Sequence, residues 1–145
     1  MGVKKLILAI VMAVALTGCA TLGSGSATEK LVVQVATMKF IEAGDDRAAK
    51  AARIVKAAAH ARVWLDMDGV TIADLHAAMM ARINGADLEP SDKLLAAALV
   101  DVVAAELDTR IGAGVISPEK RATVNAVLAW VEQAAKFYVY DPAAA

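Results

Sequence analysis

Cysteine is all but missing from this chain: Cys19 stands alone, so no internal disulfide forms and the fold must rest on packing. Aromatic residues are scarce, at 4%, and no basic stretch has the interleaved aromatic rings on which single-stranded nucleic acid stacks. The pI of 6.1 gives no global attraction to a polyanion either, so nucleic acid is not an expected partner. Only two histidines occur, His60 and His76. With no second cysteine and no acids at ligand spacing around them, a metal centre is not expected. No serine sits in a nucleophile-elbow setting, so a hydrolase triad has no visible parts. After the N-terminal segment no apolar run approaches the ~20 residues needed to cross a bilayer.

What the chain has in quantity is alanine, 34 of 145 residues. Alanine has the highest helix propensity and buries little area. A composition that is 59% hydrophobic on that basis predicts a helical, close-packed core of modest depth. One domain fits the length.

The first residues follow the three-part plan of a secretory leader. Lys4 and Lys5 form a positive start, and Leu6 to Leu16 is an uninterrupted apolar run of eleven residues. Leu16-Thr17-Gly18-Cys19 then resembles the lipobox of bacterial lipoproteins. The resemblance implies a diacylglyceryl group on the Cys19 thiol, cleavage after Gly18 and acylation of the freed amine. It implies no cofactor beyond that covalent lipid. Two or three chains, at ~0.8 kcal/mol per buried methylene, make such attachment effectively permanent. Met1-Gly2 is not a myristoylation signal, because position 6 is Leu. In enteric-type bacteria an Asp after the cysteine retains lipoproteins in the inner membrane; Ala20 here favours the outer membrane, facing the periplasm.

This reading divides the chain into a signal peptide (1–18), a lipidated N-terminus and flexible linker (19–27), a helical domain (28–140) and a tail (141–145). Eight extended linker residues reach about 29 Å, which holds the domain against its own membrane.

Five helices and no strands are expected in the domain, forming an all-α compact bundle. Ser26-x-x-Glu29 predicts a capping box opening a helix to about Ala43, with Gly44 as its stop. Asp45 or Asp46 caps a second, alanine-rich helix to about Leu65, and Asp66–Val70 is a turn. Thr71-x-x-Asp74 opens a third, ending at Asn84-Gly85. The fourth runs from about Asp92 to Ile111; its narrow polar line of Lys93, Asp101 and Asp108 makes it the expected most buried helix, through Leu95, Leu99 and Val102. Ser117-Pro118-Glu119 starts the fifth, with Val124, Val127, Leu128, Val131, Ala135 and Tyr138 at i, i+3, i+4, i+7 spacing. Phe40, Trp64, Trp130, Phe137 and Tyr138 are expected in the core or at its boundary.

Two constellations carry functional expectations. Leu65-Asp66-Met67-Asp68-Gly69-Val70-Thr71 resembles the first motif of haloacid dehalogenase-like phosphatases. By that resemblance Asp66 is the nucleophile and Asp68 the acid/base. The motif belongs at the end of a parallel strand in a doubly wound fold, whereas here it follows a run rich in Ala, Lys and Arg. No strand-like segment or later acid pair follows it, so a helix-to-helix turn using Asp and Gly accounts for the same residues. As a calcium loop it fails, because position twelve is Ala77 where Glu is required.

The second constellation is a charge division. Arg47, Lys50, Arg53, Lys56 and Arg62 occur with no acid between 47 and 62, while nine acids face two bases between Asp66 and Asp108. On a helical wheel Arg47, Lys50, Arg53, Lys56 and His60 fall on one band. A membrane-proximal basic band fits anionic headgroups or an acidic envelope protein, each charge worth ~1 kcal/mol near an anionic surface. A solvated face partly paired with the acidic helices is the alternative. The expectation is a non-enzymatic envelope lipoprotein acting as a binding or adaptor module. In style it is similar to small accessory lipoproteins of prophages. Self-association through an alanine face is the structural alternative.

Overall fold

The computed structural model describes residues 25–139, with side chains from residue 27 onward. The leader, the lipobox with Cys19, the Ser26 side chain of the expected capping box and the tail 141–145 lie outside the described residues. The chain divides into two compact units, Met1–Val32 and Val33–Ala145; the described part of the first is the opening of one helix. Five helices follow in order: α1 Gly25–Glu42, α2 Arg47–Leu65, α3 Ile72–Gly85, α4 Pro90–Ile111 and α5 Pro118–Val139. Among the described residues there is no strand; the one bridge joins Thr71 and Val115. The protein is all-α, as its alanine content and turn signals imply. Helix α1 begins at Gly25, so helix occupies the last residues assigned by sequence to the linker.

The helix boundaries follow local chemistry. Asp46 caps α2 by accepting from the Ala49 N–H at 3.4 Å. Thr71 and Asp74 form a complete capping box on α3. The Asp74 N–H donates to Thr71 Oγ1 at 3.1 Å, and the Thr71 N–H donates to Asp74 Oδ2 at 2.9 Å. Pro90 and Pro118 open α4 and α5, where the missing N–H costs nothing. Gly112, at φ 71°, closes α4 in a conformation that a Cβ would disfavour, and its N–H donates to the Asp108 carbonyl. The turns after α2 and α4 are pinned together, since the Ile116 N–H donates to the Val70 carbonyl at 2.8 Å.

Packing is led by α5. Val124, Val127, Leu128, Val131, Ala134 and Ala135 are all buried on it, and its seam with α2 is the most extensive in the bundle, followed by α3 with α4. This corrects the expectation for α4, which buries only Ala96, Leu99 and Leu107. Its apolar circumference is wide, but α3 and α5 cover only part of it, leaving Leu94 72% exposed. The inward stripe of α2 is Ala51, Ile54, Ala58, Ala61 and Leu65, small enough to bring α5 close.

Two buried clusters result. One joins Leu65, Val70, Ile72, Leu75, Leu107 and Ile116 to Val124, Val127 and Leu128. The other joins Val33, Phe40 and Ile41 of α1 to Ala51, Ile54, Leu99, Val131 and Ala135. Val103 and Trp130 pack against both. Between the helices lies a cavity of about 120 Å³ lined almost wholly by carbon, including Ala57, Ala58 and Ala61 of α2 and Leu75, Leu99 and Val131 opposite. Alanine's short side chain leaves that space.

Long-range polar ties also cross the bundle. Lys50 Nζ, buried, lies 2.8 Å from Asp92 of α4 and 5.5 Å from the Phe40 ring centre. Arg62 makes a two-pronged pair with Glu132 of α5, and the hydrogen bond to Glu132 raises its pKa above the usual value. The Tyr138 hydroxyl donates to Glu42 at 2.6 Å.

Candidate functional site

The outward face of α2 is the strongest candidate. Helix geometry puts successive residues ~100° apart, so residues 53, 56 and 60 share the side opposite the Ala51–Ile54–Ala58 stripe. Arg53, Lys56 and His60 are indeed exposed. Val63, 63% exposed, and Trp64, 38% exposed, continue this face to the end of the helix, and Met67 in the following turn is also exposed. Among the described residues neither Arg53 nor Lys56 has an ion-pair partner. The helix itself contains no acid to offer one.

The sequence placed five residues on this band, and the structure divides them. Lys50 is withdrawn from it, being 5% exposed and committed to Asp92. At ~100° per residue these five positions spread over about half the circumference, so one edge turns under the bundle, where α4 supplies the counter-charge. A buried ammonium needs that partner, because an unpaired charge in the interior is prohibitively costly. Arg47 is exposed, but it stands beside Asp45 and Asp46 and close enough to Tyr138 to favour that phenol's ionised form. Arg53, Lys56 and His60 remain as a basic patch.

Trp64 was expected at the core or its boundary, and Phe137 likewise. Phe137 is 78% exposed, near the C-terminal end of α5 where no described helix reaches it. Trp64 shares the outer side of α2. The wheel already carried this signal: four residues on from His60 is a rotation of only ~40°. Phe40 is buried and Trp130 half-buried, the latter stacked under Arg110 at 4.8 Å.

Asp66 and Asp68 occupy the turn after α2 and are both exposed. The element before them is helix, not the parallel strand that the dehalogenase-like resemblance requires. Asp66 ends α2, Gly69 at φ 77° makes the turn, and Asp68 lies 3.8 Å from Arg121. These are the features of a helix-to-helix turn. Among the described residues no three His, Cys, Asp or Glu side chains converge on a metal position.

One other polar arrangement is present. His76 Nε2 lies 2.7 Å from Asp101 at the edge of an open, mainly carbon-lined depression that includes Thr71, Ala104 and Asp108. The Thr71 hydroxyl, which lines the same depression, donates to Asp74 at 2.7 Å.

The chain matches no protein-family model, and comparison with curated proteins and with solved structures gives no match. No described helix is long and apolar enough to cross a membrane.

Proposed function

We propose that this chain is a bacterial envelope lipoprotein, held by lipid on Cys19, whose helical bundle acts by binding rather than by catalysis. Outer-membrane attachment facing the periplasm is the location that Ala20 favours. The observation that supports the binding reading is the outward face of α2, where Arg53 and Lys56 are exposed and unpaired among the described residues. Folding leaves these charges unused within the bundle while it consumes Lys50 and Arg62. A tethered domain with a free basic face is suited to work as an adaptor or surface module. Small accessory lipoproteins of prophages, which this chain resembles in style, are modules of that size.

The test has two parts. Mass spectrometry of the chain purified from envelopes should find an acylated N-terminal Cys19 and no leader; an unmodified cysteine would remove the anchoring half. Crosslinked capture should then compare wild type with Arg53→Gln/Lys56→Gln, leaving Lys50 intact so that the fold is not disturbed. Material captured by wild type and lost from the variant supports the face as the binding surface. Identical capture by both would move the activity elsewhere on the domain.

A further inference from the structure

Resting on that reading, the geometry points to a specific occupant for the α2 face: we propose that Arg53, Lys56, His60, Val63 and Trp64 lie on an anionic phospholipid bilayer, the one in which the anchor sits. Three observations carry this. The first is charge sign. The face offers cations with no acid on the helix, and phosphate headgroups are the complementary surface that a membrane-tethered domain meets at highest concentration.

The second is the order of residues along the helix. Basic side chains in the first half give way to exposed Val63 and Trp64 in the second. Lys and Arg reach phosphates while indole and aliphatic groups enter the boundary beneath them, the arrangement that interfacial helices use. Val63 and Trp64, ~100° apart on the helix, flank the basic residues on either side of the face. The two apolar side chains form no groove and no broad patch, so they suit a planar, deformable surface.

The third is reach. From Cys19 to Gly25 the chain extends at most about 22 Å, and residues 25–32, being helical, add about 12 Å of contour. The main unit therefore begins within about 34 Å of the anchored cysteine, and translational entropy no longer opposes docking. Under those conditions modest attractions decide orientation. Each cation near an anionic surface multiplies the docked population roughly fivefold, so Arg53 and Lys56 together supply about 25-fold. Asp66 and Asp68, exposed in the turn beside Met67, oppose deeper insertion and keep the contact at headgroup level.

The experiment uses the full chain purified from envelopes and reconstituted in two vesicle types, pure phosphatidylcholine and phosphatidylcholine with phosphatidylglycerol, with brominated lipids as a contact quencher. Tryptophan emission is read for wild type and for Trp64→Phe, whose difference isolates Trp64 from Trp130. Quenching of the Trp64 component in phosphatidylglycerol vesicles, abolished by Arg53→Glu/Lys56→Glu or high salt and missing in pure phosphatidylcholine, is the expected result. Both variants change exposed residues, and circular dichroism verifies that each is folded. Trp64 equally open to aqueous acrylamide in both vesicle types overturns the proposal. So does acrylamide protection that appears only when an acidic envelope protein is added, which would make the face a protein contact. The mass of the N-terminal residue, determined on the same sample, reports separately on the anchor: an unlipidated chain whose Trp64 is still quenched refutes the lipoprotein reading and leaves the membrane face standing.

Discussion

Filling the cavity beside Ala58 should stabilise the bundle. At ~24 cal/mol for each Å³, an enclosed void of about 120 Å³ would cost ~3 kcal/mol; this space is partly open to solvent, so its cost to the folded state is a fraction of that. Ala58 is buried on the inward stripe of α2 and lines that space. Ala58→Leu introduces ~3 further carbons, worth ~0.8 kcal/mol each on burial, at almost no loss of helix propensity. Against ~2.4 kcal/mol of transfer stands about 1 kcal/mol for imperfect rotamer fit. A net gain of ~1–2 kcal/mol remains, which for a domain of roughly a hundred residues is a Tm rise of about 4–8 °C. Urea unfolding followed by circular dichroism is the assay, with Ala59→Leu as the control. Ala59 is exposed, and its replacement should stay within about 0.5 kcal/mol of wild type. If Ala58→Leu lowers stability by 1 kcal/mol or more at unchanged m-value, the space is not open to a side chain from that position and the reasoning fails.

Asp92→Ala should destabilise by about 3–5 kcal/mol, since it leaves the Lys50 ammonium buried without a partner. Lys50→Met/Asp92→Leu should recover most of that loss in the same unfolding assay; two equally damaged proteins would mean that packing and not charge governs the corner. Asp74 has its pKa held below 3.8, first by the Thr71 hydroxyl and then by the Thr71 N–H, and Glu119 is lowered below 4.5 through its own backbone and Ser117. A lowered carboxyl pKa contributes stability that is full above the unfolded value and lost as pH falls through the folded one. Thermal stability should therefore drop below about pH 4.5, and Asp74→Asn should shallow the drop. Tyr138 is pushed up to about 12, by burial first and then by its bond to Glu42. The protonated phenol thus contributes stability that is complete below pH 10 and disappears as pH climbs toward 12. Ultraviolet titration of wild type should show a tyrosinate transition near pH 12 that is missing from Tyr138→Phe and moved down in Glu42→Gln.

The helices were readable because their ends carry local chemistry. The Thr71–Asp74 box, Pro118 and Gly112 act within a few residues of themselves, and the structure places boundaries close to where those residues imply. The inward residues of α5 were readable for the same reason, since a stripe at helical spacing needs no knowledge of its partner. Relative burial was not readable in this way. The apolar girth of α4 does not reveal that α3 and α5 leave Leu94 uncovered, because coverage depends on the neighbours' positions. Lys50 shows the same limit for charge. Nothing near it in sequence distinguishes it from Lys56; Asp92, 42 residues away, makes the difference. At the candidate site Arg53, Lys56 and His60 were legible from helical rotation alone. Trp64 lay on the same wheel and was assigned to the core boundary because aromatic rings usually go there.

Helix α5 supplies residues to both buried clusters and the most extensive seam, yet it comes last of the five described helices. Helices α3 and α4 can pair early across a short connection, but the main partner of α2 lies more than fifty residues downstream. A chain halted before Ser117 would hold the α3–α4 hairpin but lack the helix that makes the most extensive seam with α2. Completion of the described bundle is thus postponed until α5 has been made.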